Sequence, residues 1–519
     1  MPTLTGQNRR QIQLLCLEDL VAVDSYVRVV DAFVDLLDLP ALNFIQKGDS
    51  HEGNPAYRTA DLLKLYLYGY LNRVRSSRRL MRETQVSVEA MWLLRGLRPS
   101  YRTIARFRAD NPAALRATFR QFNRFLQSEN RFDEDTVAVD GSKFRAQNSM
   151  KNNYNEKKID QHLDYIDRQT DQYLQEMDRL DGQEVDAEVY HEQSQHLAQK
   201  LDQLKTRKDK YDGLKEQLAG AQANGETQIS TTDPDARALP KKMNIVEVGY
   251  NVVATAEGQH KLITNFKVTN EHDTHQLADA ASEARVVLAK QPDEKLTVLA
   301  DKGFDTASEL QRCADQDIIT LVSPKKRHSN TKENRYGKEE FEYDDQADLY
   351  TCPQGERLRS NGKYYKKGKN KKGEPYRFKQ YKAAHYICRT CEVCLLCVSE
   401  KNLNSSRGRV LERGQYEDAV EANKERVRLN KDRYRKRQEI IEHQFGTIKR
   451  GWGYDYTLLK GLEKVSGEFA LIFTAYNLRR AITIFGVRGL IERLKAAQVH
   501  FLDLICAILS RFKPLFLDR

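Results

Sequence analysis

Apolar residues in the first 130 positions recur at intervals of three and four, the repeat of an amphipathic helix. Leu62, Leu65, Tyr66 and Gly69 show this spacing, and strand-like alternation is absent from the same stretch. Serines that suit helix N-caps precede several of these segments, at positions 77, 87 and 100. The pattern therefore predicts a helical N-terminal domain over residues 1–130.

The segment YRTIARFR, which follows Ser100, carries Arg102, Arg106 and Arg108 on one of these short helices. Short capped helices that lead into a basic helix resemble a helix-turn-helix DNA reader, in which one helix enters the major groove. The alternative is a plain helical bundle with solvated arginines. In the first case we expect Arg102 and Arg106 to contact DNA.

The pattern changes at Thr136, where the β-branched run TVAV predicts a buried strand that ends at Asp140. Beyond it, two long runs of apolar positions alternate spacings of four and three, which predicts two helices paired antiparallel. The chain has no proline between Pro112 and Pro234, so both helices are expected to be uninterrupted. We place this inserted helical hairpin at about residues 150–225. The seam positions are Ile159, Leu163, Ile166, Thr170, Tyr173, Met177 and Leu180 in the first run, and Leu197, Leu201, Leu204, Lys208 and Tyr211 in the second.

Strands and helices then alternate. IVEVGYNVVATAEGQ and HKLITNFKV read as two adjacent strands, LTVLA runs into Asp301, and a short helical segment leads to Ile318 and Ile319. This order predicts a mixed α/β sheet, whose first part we assign to residues 131–324. After a second insertion at 325–430, the segment 431–519 contains YRKRQEIIEHQFGTIK, which starts at Tyr434 and is a predicted helix that carries Glu442.

Composition narrows the functional classes. The 519 residues are 40% hydrophobic and 31% charged, so folded modules with an ionic surface are expected, and more than one domain. The net charge is +11, which suits a polyanionic partner but also serves solubility. The opening segment is charged and FLDLICAIL at 501–509 is too short to span a bilayer, so we expect a cytoplasmic protein without a membrane partner.

The second insertion is the most basic part of the chain. Between Arg357 and Lys382 there are eleven Lys or Arg and one acid, Glu374. Aromatic residues are interleaved with them, which favours phosphate contact with some base stacking. The alternative is a solvated, mobile insertion. A second basic run, RYRKR, begins at Arg433 and leads towards Glu442. The aromatic residues are Tyr364, Tyr365, Tyr376, Phe378 and Tyr381.

Three acids occupy positions suited to metal-dependent phosphoryl transfer. Asp140 and Asp301 each follow a predicted strand, and Glu442 lies on a helix. Two-metal chemistry requires carboxylates from separate elements that converge on a pair of hard cations such as Mg²⁺ or Mn²⁺. Taken alone, each acid is better explained as a helix cap or a surface charge. Its assignment to a metal site therefore depends on the sequence around it.

Four strings occur in one order along the chain: AVDGSKFRAQNS around Asp140, TDPDARALPKK, LADKGFD around Asp301, and IEHQFGTIKR around Glu442. Together they resemble the DDE insertion-sequence transposases of bacteria, most closely the subgroup numbered eleven-eighty-two. The resemblance covers nearly the whole chain. It implies a ribonuclease H-like core with Asp140 on the first strand, Asp301 after the fourth, and Glu442 on the helix after the late insertion.

Related transposases carry a Tyr, an Arg and a Lys around the glutamate, and Tyr434, Arg437 and Lys449 are the matching residues here. The related pattern puts Arg four positions before Glu, where this chain has Gln438, so Arg437 fits it imperfectly. The neighbouring acid, Glu439, fits the pattern less well than Glu442. Lys449 is expected to bind a phosphate near the metals, with a surface lysine as the alternative.

The resemblance implies binding of terminal inverted repeats, hydrolysis at each transposon end, and attack of the freed 3′ hydroxyl on target DNA. The expected partners are double-stranded DNA and further copies of the chain, at least a dimer. Two alternatives remain open: a nuclease of the same fold that cuts without joining, and a non-catalytic DNA-binding protein derived from such an element.

Five of the eight cysteines indicate a structural metal. Since the chain has no export signal, we expect its thiols to be reduced. Tetrahedral Zn²⁺ needs four ligands, so Cys352 with three of the cluster is the predicted set. The alternatives are no metal and, less favoured, an iron–sulfur centre, whose usual spacing differs. The five residues are Cys352, Cys388, Cys391, Cys394 and Cys397.

Overall fold

The computed structural model is a mixed α/β protein, as the alternation of strands and helices predicts. The residues that it describes are 16–45, 55–132, 135–182, 186–223, 225–240, 246–291, 293–325, 336–367, 376–398 and 408–512. Side chains are described only as far as position 498, so the apolar segment at 501–509 lies outside them.

Among the described residues up to position 132, the N-terminal region contains six helices. Two of the expected serine caps are present: Ser87 accepts a hydrogen bond from the Ala90 N–H, and Ser100 from the Thr103 N–H. Ser77 instead is the first helical residue, and Ser76 occupies the cap position without a side-chain bond. The helices are α1 (Val27–Leu36), α2 (Thr59–Leu71), α3 (Ser77–Val86), α4 (Val88–Leu93), α5 (Tyr101–Asp110) and α6 (Pro112–Ser128).

The central sheet has β1 in its middle. Neighbouring strands follow the order β6-β5-β1-β7-β8, and the short β4 pairs with the first part of β5. β1, β7 and β8 are parallel, whereas β5 is antiparallel to β1 and to β6. Helices α9 (Leu277–Val287) and α10 (Ala307–Ala314) connect the later strands. The strands are β1 (Thr136–Arg145), β4 (Arg237–Pro240), β5 (Val246–Glu257), β6 (Ile263–Thr269), β7 (Leu296–Ala300) and β8 (Ile318–Val322).

A helical hairpin of α7 (Glu156–Asp181) and α8 (Ala187–Ala223) follows β1, with the two-residue strands β2 (Asn153–Tyr154) and β3 (Ile229–Ser230) at its base. Its apolar seam is a separate small core. Ion pairs between Lys208 and Asp167 and between Lys215 and Asp160 show the antiparallel register, because seven residues forward on α8 match seven backward on α7.

A second sheet is wholly antiparallel, in the order β13-β12-β11-β10-β9. Its strands are β9 (Glu342–Asp344), β10 (Leu349–Thr351), β11 (Arg357–Lys367), β12 (Tyr376–Lys382) and β13 (Val410–Gly414). Two short helices, α11 (His385–Thr390) and α12 (Cys394–Cys397), precede β13. Tyr350, Leu358, Tyr381 and Leu411 form the core of this sheet.

The chain returns to the central sheet through α13 (Glu417–Leu429) and α14 (Lys431–Arg437). Two π-helical turns at 438–442 and 447–451 flank α15 (His443–Gly446). The last helix, α16 (Leu462–Phe512), bends at Gly486, whose φ of 69° is left-handed. Within the described residues, no helix combines the length and apolar character needed to cross a lipid bilayer.

The N-terminal helices, the central sheet and α16 share one hydrophobic core, which runs from Val21 to Leu494. Buried polar groups join the same parts: Arg75 pairs with Glu468 at 3.3 Å, and both side chains are buried. The Asn477 Nδ2 donates to Asn123 Oδ1 at 2.9 Å, and Asn477 Oδ1 accepts from the Ile263 N–H. Because a lost buried hydrogen bond costs on the order of 1–3 kcal/mol, these contacts hold the sheet against both helical parts.

Candidate active site

Asp140 and Asp301 lie side by side on neighbouring parallel strands. The register pairs Val139 of β1 with Ala300 of β7, and each acid is the next residue along its strand. Neighbouring strands are roughly 4.8 Å apart, so the two acids lie next to each other at the level where β7 ends. The expectation that β1 ends at Asp140 is wrong, because β1 continues to Arg145 while it pairs with β5. The strand that ends at this level is β7.

A third acid, Asp273, completes this group. It lies in a short 3₁₀ turn after β6, where its Oδ1 accepts a hydrogen bond from Asn251 Nδ2 at 2.7 Å. Its Oδ2 is 3.4 Å from the Lys143 ammonium. A Cβ atom at Gly141 would lie 2.0 Å from the Asp273 Oδ1, and one at Gly303 only 2.8 Å from the Asp301 Oδ1. The glycines of the DGS and DKGF strings therefore leave the space that these carboxylates occupy.

Electrostatics at Asp140 favour its neutral form. Burial raises the pKa of Asp140 to about 7; the Arg437 charge opposes this, while Asp301 and Asp273 add to it. The Gly141 N–H, which donates to Asp140 Oδ1 at 2.9 Å, also lowers the pKa. Since like charges crowd a half-buried site, a divalent cation would relieve the repulsion. The oxygen donors thus fit the hard cations expected from sequence.

The Arg437 side chain bonds to Glu442 and is close enough to Asp140 for its charge to affect that carboxyl. Its Nη2 donates to Glu442 Oε1 at 3.3 Å, and its charge lowers the pKa of Asp140. These residues are five positions apart, a spacing that an α-helix does not bring onto one face. The intervening turn, Gln438–Glu442, is π-helical and so wider by one residue. The related pattern places Arg four positions before Glu, and this chain has one residue more between them. The wider π-helical turn accommodates that residue.

The helical segment that carries Glu442 runs alongside β1 and bonds to it near both ends. The Arg433 Nη2 donates to Thr136 Oγ1 at 2.8 Å, and the Lys449 Nζ donates to the Lys143 carbonyl at 2.7 Å. Sixteen helical residues and seven strand residues both span about 23–24 Å, so the two registers agree. Lys449 also lies 4.2 Å from the centre of the Phe144 ring. Both contacts attach the end of the helical segment to β1.

The remaining candidates on this segment differ in their surroundings. Tyr434 is partly buried against the main core. Glu439 pairs with Lys261 at 2.9 Å on the exposed surface, whereas Glu442 bonds to the buried Arg437. Of the two acids, Glu442 is thus the one whose partner, Arg437, also affects the pKa of Asp140. Asp140, Asp301 and Glu442 are nevertheless not gathered tightly, since no three His, Cys, Asp or Glu side chains in the described residues are arranged to hold a metal ion as they stand.

Three arginines of α5 have two different environments. Arg102 and Arg106 are exposed, as a DNA contact requires. Arg108 differs from the solvated arginines of the alternative interpretation: it is buried and donates to the Tyr70 hydroxyl at 3.0 Å and to the Arg75 carbonyl at 3.1 Å. Its role is to stabilise the helical core.

The second sheet presents a basic face. Its exposed lysines and arginines share β11 and β12 with Tyr364 and Tyr376, whose side chains are 54% and 37% exposed. Phe378 and Tyr381 are buried in the sheet core, so these two cannot stack on bases as expected. The described exposed cations are Arg357, Arg359, Lys363, Lys366, Arg377 and Lys382.

The five clustered cysteines surround one cavity of about 40 Å³ beneath this sheet. None of them forms a disulfide in the described structure. Cys352 lies in the turn after β10, Cys388 on α11, and Cys394 and Cys397 on α12. The topology therefore gathers thiols from two parts of the insertion.

Sequence reasoning missed Asp273, because an acid in a loop after a strand has no local feature that separates it from a turn residue. It also missed Lys143 and Asn251, the two partners of Asp273. The only available signals are the glycines that follow Asp140 and Asp301 in the two strings.

Comparison with known proteins gives two family matches. Residues 351–482 match the family described as a transposase DDE domain, and residues 15–110 match the transposase domain DUF772. No curated protein matches the chain. A solved piggyBac transposase synaptic complex with hairpin DNA aligns over 92% of this chain and 80% of that chain, at 8% identity and a TM-score of 0.31. The two family matches support a transposase of the DDE type.

Proposed function

We propose that this chain is a DNA transposase that binds terminal inverted repeats and catalyses metal-dependent strand cleavage and strand transfer. The observation that carries the proposal is the pairing of Asp140 with Asp301 at the level where β7 ends, with Arg437, which bonds to Glu442, close enough to affect the charge of Asp140. The DDE domain match over residues 351–482 includes Glu442. The match at 15–110 covers the proposed DNA-reading helix with Arg102 and Arg106.

The order of the strands agrees with a ribonuclease H-like core. Apart from the short strands β2, β3 and β4, Asp140 lies on the first strand of the central sheet and Asp301 follows its fourth, β7. Glu442 lies on the helical segment that follows the second insertion. These are the positions that the resemblance to DDE transposases implies.

Asp140, Asp301 and Glu442 are the residues that would hold two Mg²⁺ or Mn²⁺ ions. When bound, such ions activate a nucleophile and stabilise the leaving oxygen of the phosphodiester. To bind a metal ion, the Asp140 carboxyl must lose its proton. The charge of Arg437 favours this loss, and the charge of a bound metal ion would favour it further. Arg437 orients the Glu442 carboxylate by the hydrogen bond at 3.3 Å. Glu442 is 52% exposed, so it can turn towards the aspartates when DNA and metal arrive.

The basic face of the second sheet and the run from Arg433 supply phosphate contacts in this proposal. Exposed lysines and arginines neutralise DNA phosphates, and Tyr364 and Tyr376 offer surfaces for base stacking. Synapsis of two transposon ends would require at least a dimer. The protein would then act in the cytoplasm of a bacterium, associated with the nucleoid when it is bound to DNA.

The test is a cleavage and joining assay with purified protein, end-bearing DNA and Mg²⁺. Asp140→Ala, Asp301→Ala and Glu442→Ala are each expected to abolish both products while DNA binding persists. Glu439→Ala is the matched control, because this acid lies on the same segment but pairs with Lys261. It should keep wild-type activity.

Other outcomes identify the alternatives. Cleavage without joined products indicates a nuclease of the same fold. Binding to DNA without metal-dependent cleavage by the wild type indicates a non-catalytic derivative. Equal cleavage by the wild type and all three acid variants contradicts the site.

A further inference from the structure

We propose that helix α3, rather than α5, enters the major groove of the transposon end and reads its bases, while Arg102 and Arg106 of α5 bind phosphates beside it. The spacing of arginines in the sequence points to α5, whereas the exposed surface of the folded helices favours α3. The inference rests on the proposed function, because it takes DNA with a defined end sequence as the partner. It concerns the N-terminal helices and not the acidic site.

Helix α3 presents one continuous face to solvent. Of its ten residues, all of which the structure describes, five are exposed, and they lie within about 120° around the helix axis. The buried Leu80 and Thr84 lie on the opposite side, where Leu80 packs into the main core. A helix attached by one side in this way leaves its other side free to enter a groove. The exposed residues are Arg78, Arg79, Arg82, Gln85 and Val86.

The chemical groups on this face are those that recognise base edges. An arginine donates two hydrogen bonds to O6 and N7 of guanine, and a glutamine forms a matching pair of bonds with adenine. Apolar side chains contact the methyl group of thymine, and Val86 is 61% exposed at the end of the face. The acid of this helix, Glu83, is only partly exposed. The face of α3 therefore combines donors for guanine, an amide for adenine and an apolar group for thymine.

The length of the face suits a groove. Arg78 and Val86 are eight positions apart, which corresponds to about 12 Å along the helix axis. The major groove of DNA is about 12 Å wide and admits an α-helix. Since base pairs follow one another at about 3.4 Å, the face of α3 reaches about three to four base pairs.

The exposed surface of α5 is less suited to base reading. It consists of Arg102, Arg106 and Asp110, which follow one another at intervals of one helical turn. An exposed carboxylate at the end of this row would be repelled by the phosphates if the whole helix lay in the groove. The two arginines lie nearer the start of α5, where they can bind phosphates while Asp110 stays outside the groove.

Tyr101, the first residue of α5, joins the two helices into one basic surface. The Arg78 guanidinium lies 4.4 Å from the centre of the Tyr101 ring, and the Arg102 guanidinium lies 6.0 Å from the same centre. The Arg102 Nε also donates to the Tyr101 hydroxyl at 3.3 Å. Insertion of α3 through Arg78 therefore brings Arg102 to the phosphates that border the groove.

The deciding experiment is selection from a library of random DNA duplexes with the full-length protein, in a buffer without Mg²⁺ so that no cleavage takes place. The wild type should enrich one sequence motif. Arg82→Ala and Gln85→Ala should each lose the preference at one or two neighbouring positions of that motif, whereas Arg106→Ala should enrich the wild-type motif. An unchanged motif from both α3 variants, or no motif from the wild type, overturns the inference.

Binding affinities give the second measurement, by fluorescence anisotropy with a duplex that carries the selected motif and a scrambled duplex of equal composition. Arg82→Ala should reduce the ratio of the two affinities on the order of 10–100-fold. Arg106→Ala should weaken both complexes alike and lower the slope of log affinity against log salt by about one. Arg124→Ala, at an exposed arginine of α6, is the control and should keep the wild-type ratio. A ratio that falls as far in Arg106→Ala as in Arg82→Ala contradicts the division between the helices.

The outcomes distinguish this inference from the proposed function. If the protein cleaves and joins end DNA while both α3 variants keep the wild-type motif, the assignment of α3 fails and the proposed function stands. If the wild type does not cleave but the α3 variants change its motif, the assignment stands and the catalytic part of the proposed function fails. Because the replaced side chains are exposed, circular dichroism should show unchanged helix content in every variant.

Discussion

The Arg437 Nη2 donates a hydrogen bond to Glu442 Oε1 at 3.3 Å across a π-helical turn, although five positions separate the two residues. An α-helical turn would carry Glu442 about 140° round from Arg437, whereas the wider π turn returns it to nearly the same face. The arginine also lowers the pKa of Asp140. This one side chain therefore acts on both acids, on Glu442 through a hydrogen bond and on Asp140 through its charge.

Replacement of Arg437 by alanine is expected to reduce the rate of DNA cleavage by on the order of 10²-fold, because a displaced catalytic group costs about that much. Glu442 would lose its positioning bond while the fold persists. Single-turnover cleavage at saturating DNA measures the rate. Arg435→Ala is the matched control, since Arg435 is exposed and pairs with the exposed Asp432 one helical turn earlier. Similar losses in both variants would contradict a positioning role.

Deletion of Gln438 tests the π turn itself. Removal of one residue from a π bulge restores a regular α-helix, in which Arg437 and Glu442 are four positions apart and still share a face. We therefore expect the deletion variant to retain more activity than Arg437→Ala. Circular dichroism should show unchanged helix content. Activity lost as completely as in Glu442→Ala would indicate that the bulge has a role beyond alignment.

Asp140→Asn should stabilise the metal-free protein above neutral pH. The folded pKa of Asp140 is about 7, against 3.8 for the unfolded chain, so ionisation of this group opposes folding as pH rises between the two values. The asparagine has no such cost. Its gain in Tm over the wild type should grow from about pH 4 to about pH 7 and then stay constant.

Calorimetry in the presence of a chelator measures this difference. A gain that is constant from acid to alkaline pH would contradict the raised pKa. Addition of Mg²⁺ should stabilise the wild type more than the variant, because the variant lacks one metal-binding carboxylate.

Asp273→Asn is expected to weaken the binding of metal ions rather than abolish cleavage. The substitution keeps the size of the side chain but removes one negative charge beside Asp140 and Asp301, so roughly tenfold more Mg²⁺ should be needed for half-maximal activity. Asp279→Asn on α9 is the control, since this acid pairs with Lys267 and Arg312 instead. An unchanged Mg²⁺ requirement would leave Asp273 with a purely structural role.

Lys449→Met separates anchoring from phosphate binding. Methionine keeps the contact with the Phe144 ring but loses the bond to the Lys143 carbonyl, so the free energy of unfolding should fall by about 1–3 kcal/mol. Urea denaturation measures the loss. The control is Lys436→Met, at an exposed lysine of the same helical segment, which should leave the free energy of unfolding unchanged. If stability is unchanged in Lys449→Met while DNA affinity falls, the anchoring role is wrong.

Local patterns in the sequence determined the elements and their kinds. The three-and-four spacing predicts the N-terminal helices and the helical hairpin, because side-chain periodicity follows from backbone geometry within one element. TVAV and LTVLA predict β1 and β7 for the same reason, although not that β1 continues past Asp140. The mixed α/β architecture follows from the order of such segments.

The tertiary structure decided the environment of each polar side chain. Arg102 and Arg108 lie on one short helix, yet the first is exposed and the second is buried against Tyr70. The location of Asp273 beside Asp140 depends on the pairing of β1 with β5 and on the turn after β6, which are distant in sequence. Such contacts are set by sheet register, which no short window of sequence contains.

The π turn between Arg437 and Glu442 is another feature that the tertiary structure determined. The sequence shows that one additional residue separates Arg437 from Glu442. From the sequence alone, this residue could either widen one turn of the helix or rotate Glu442 onto another face of it. The contacts of Arg433 and Lys449 with β1 hold the helical segment at both ends, so the additional residue must be accommodated between them. Composition and periodicity thus determined what the elements are, whereas packing of distant elements determined which side chains meet.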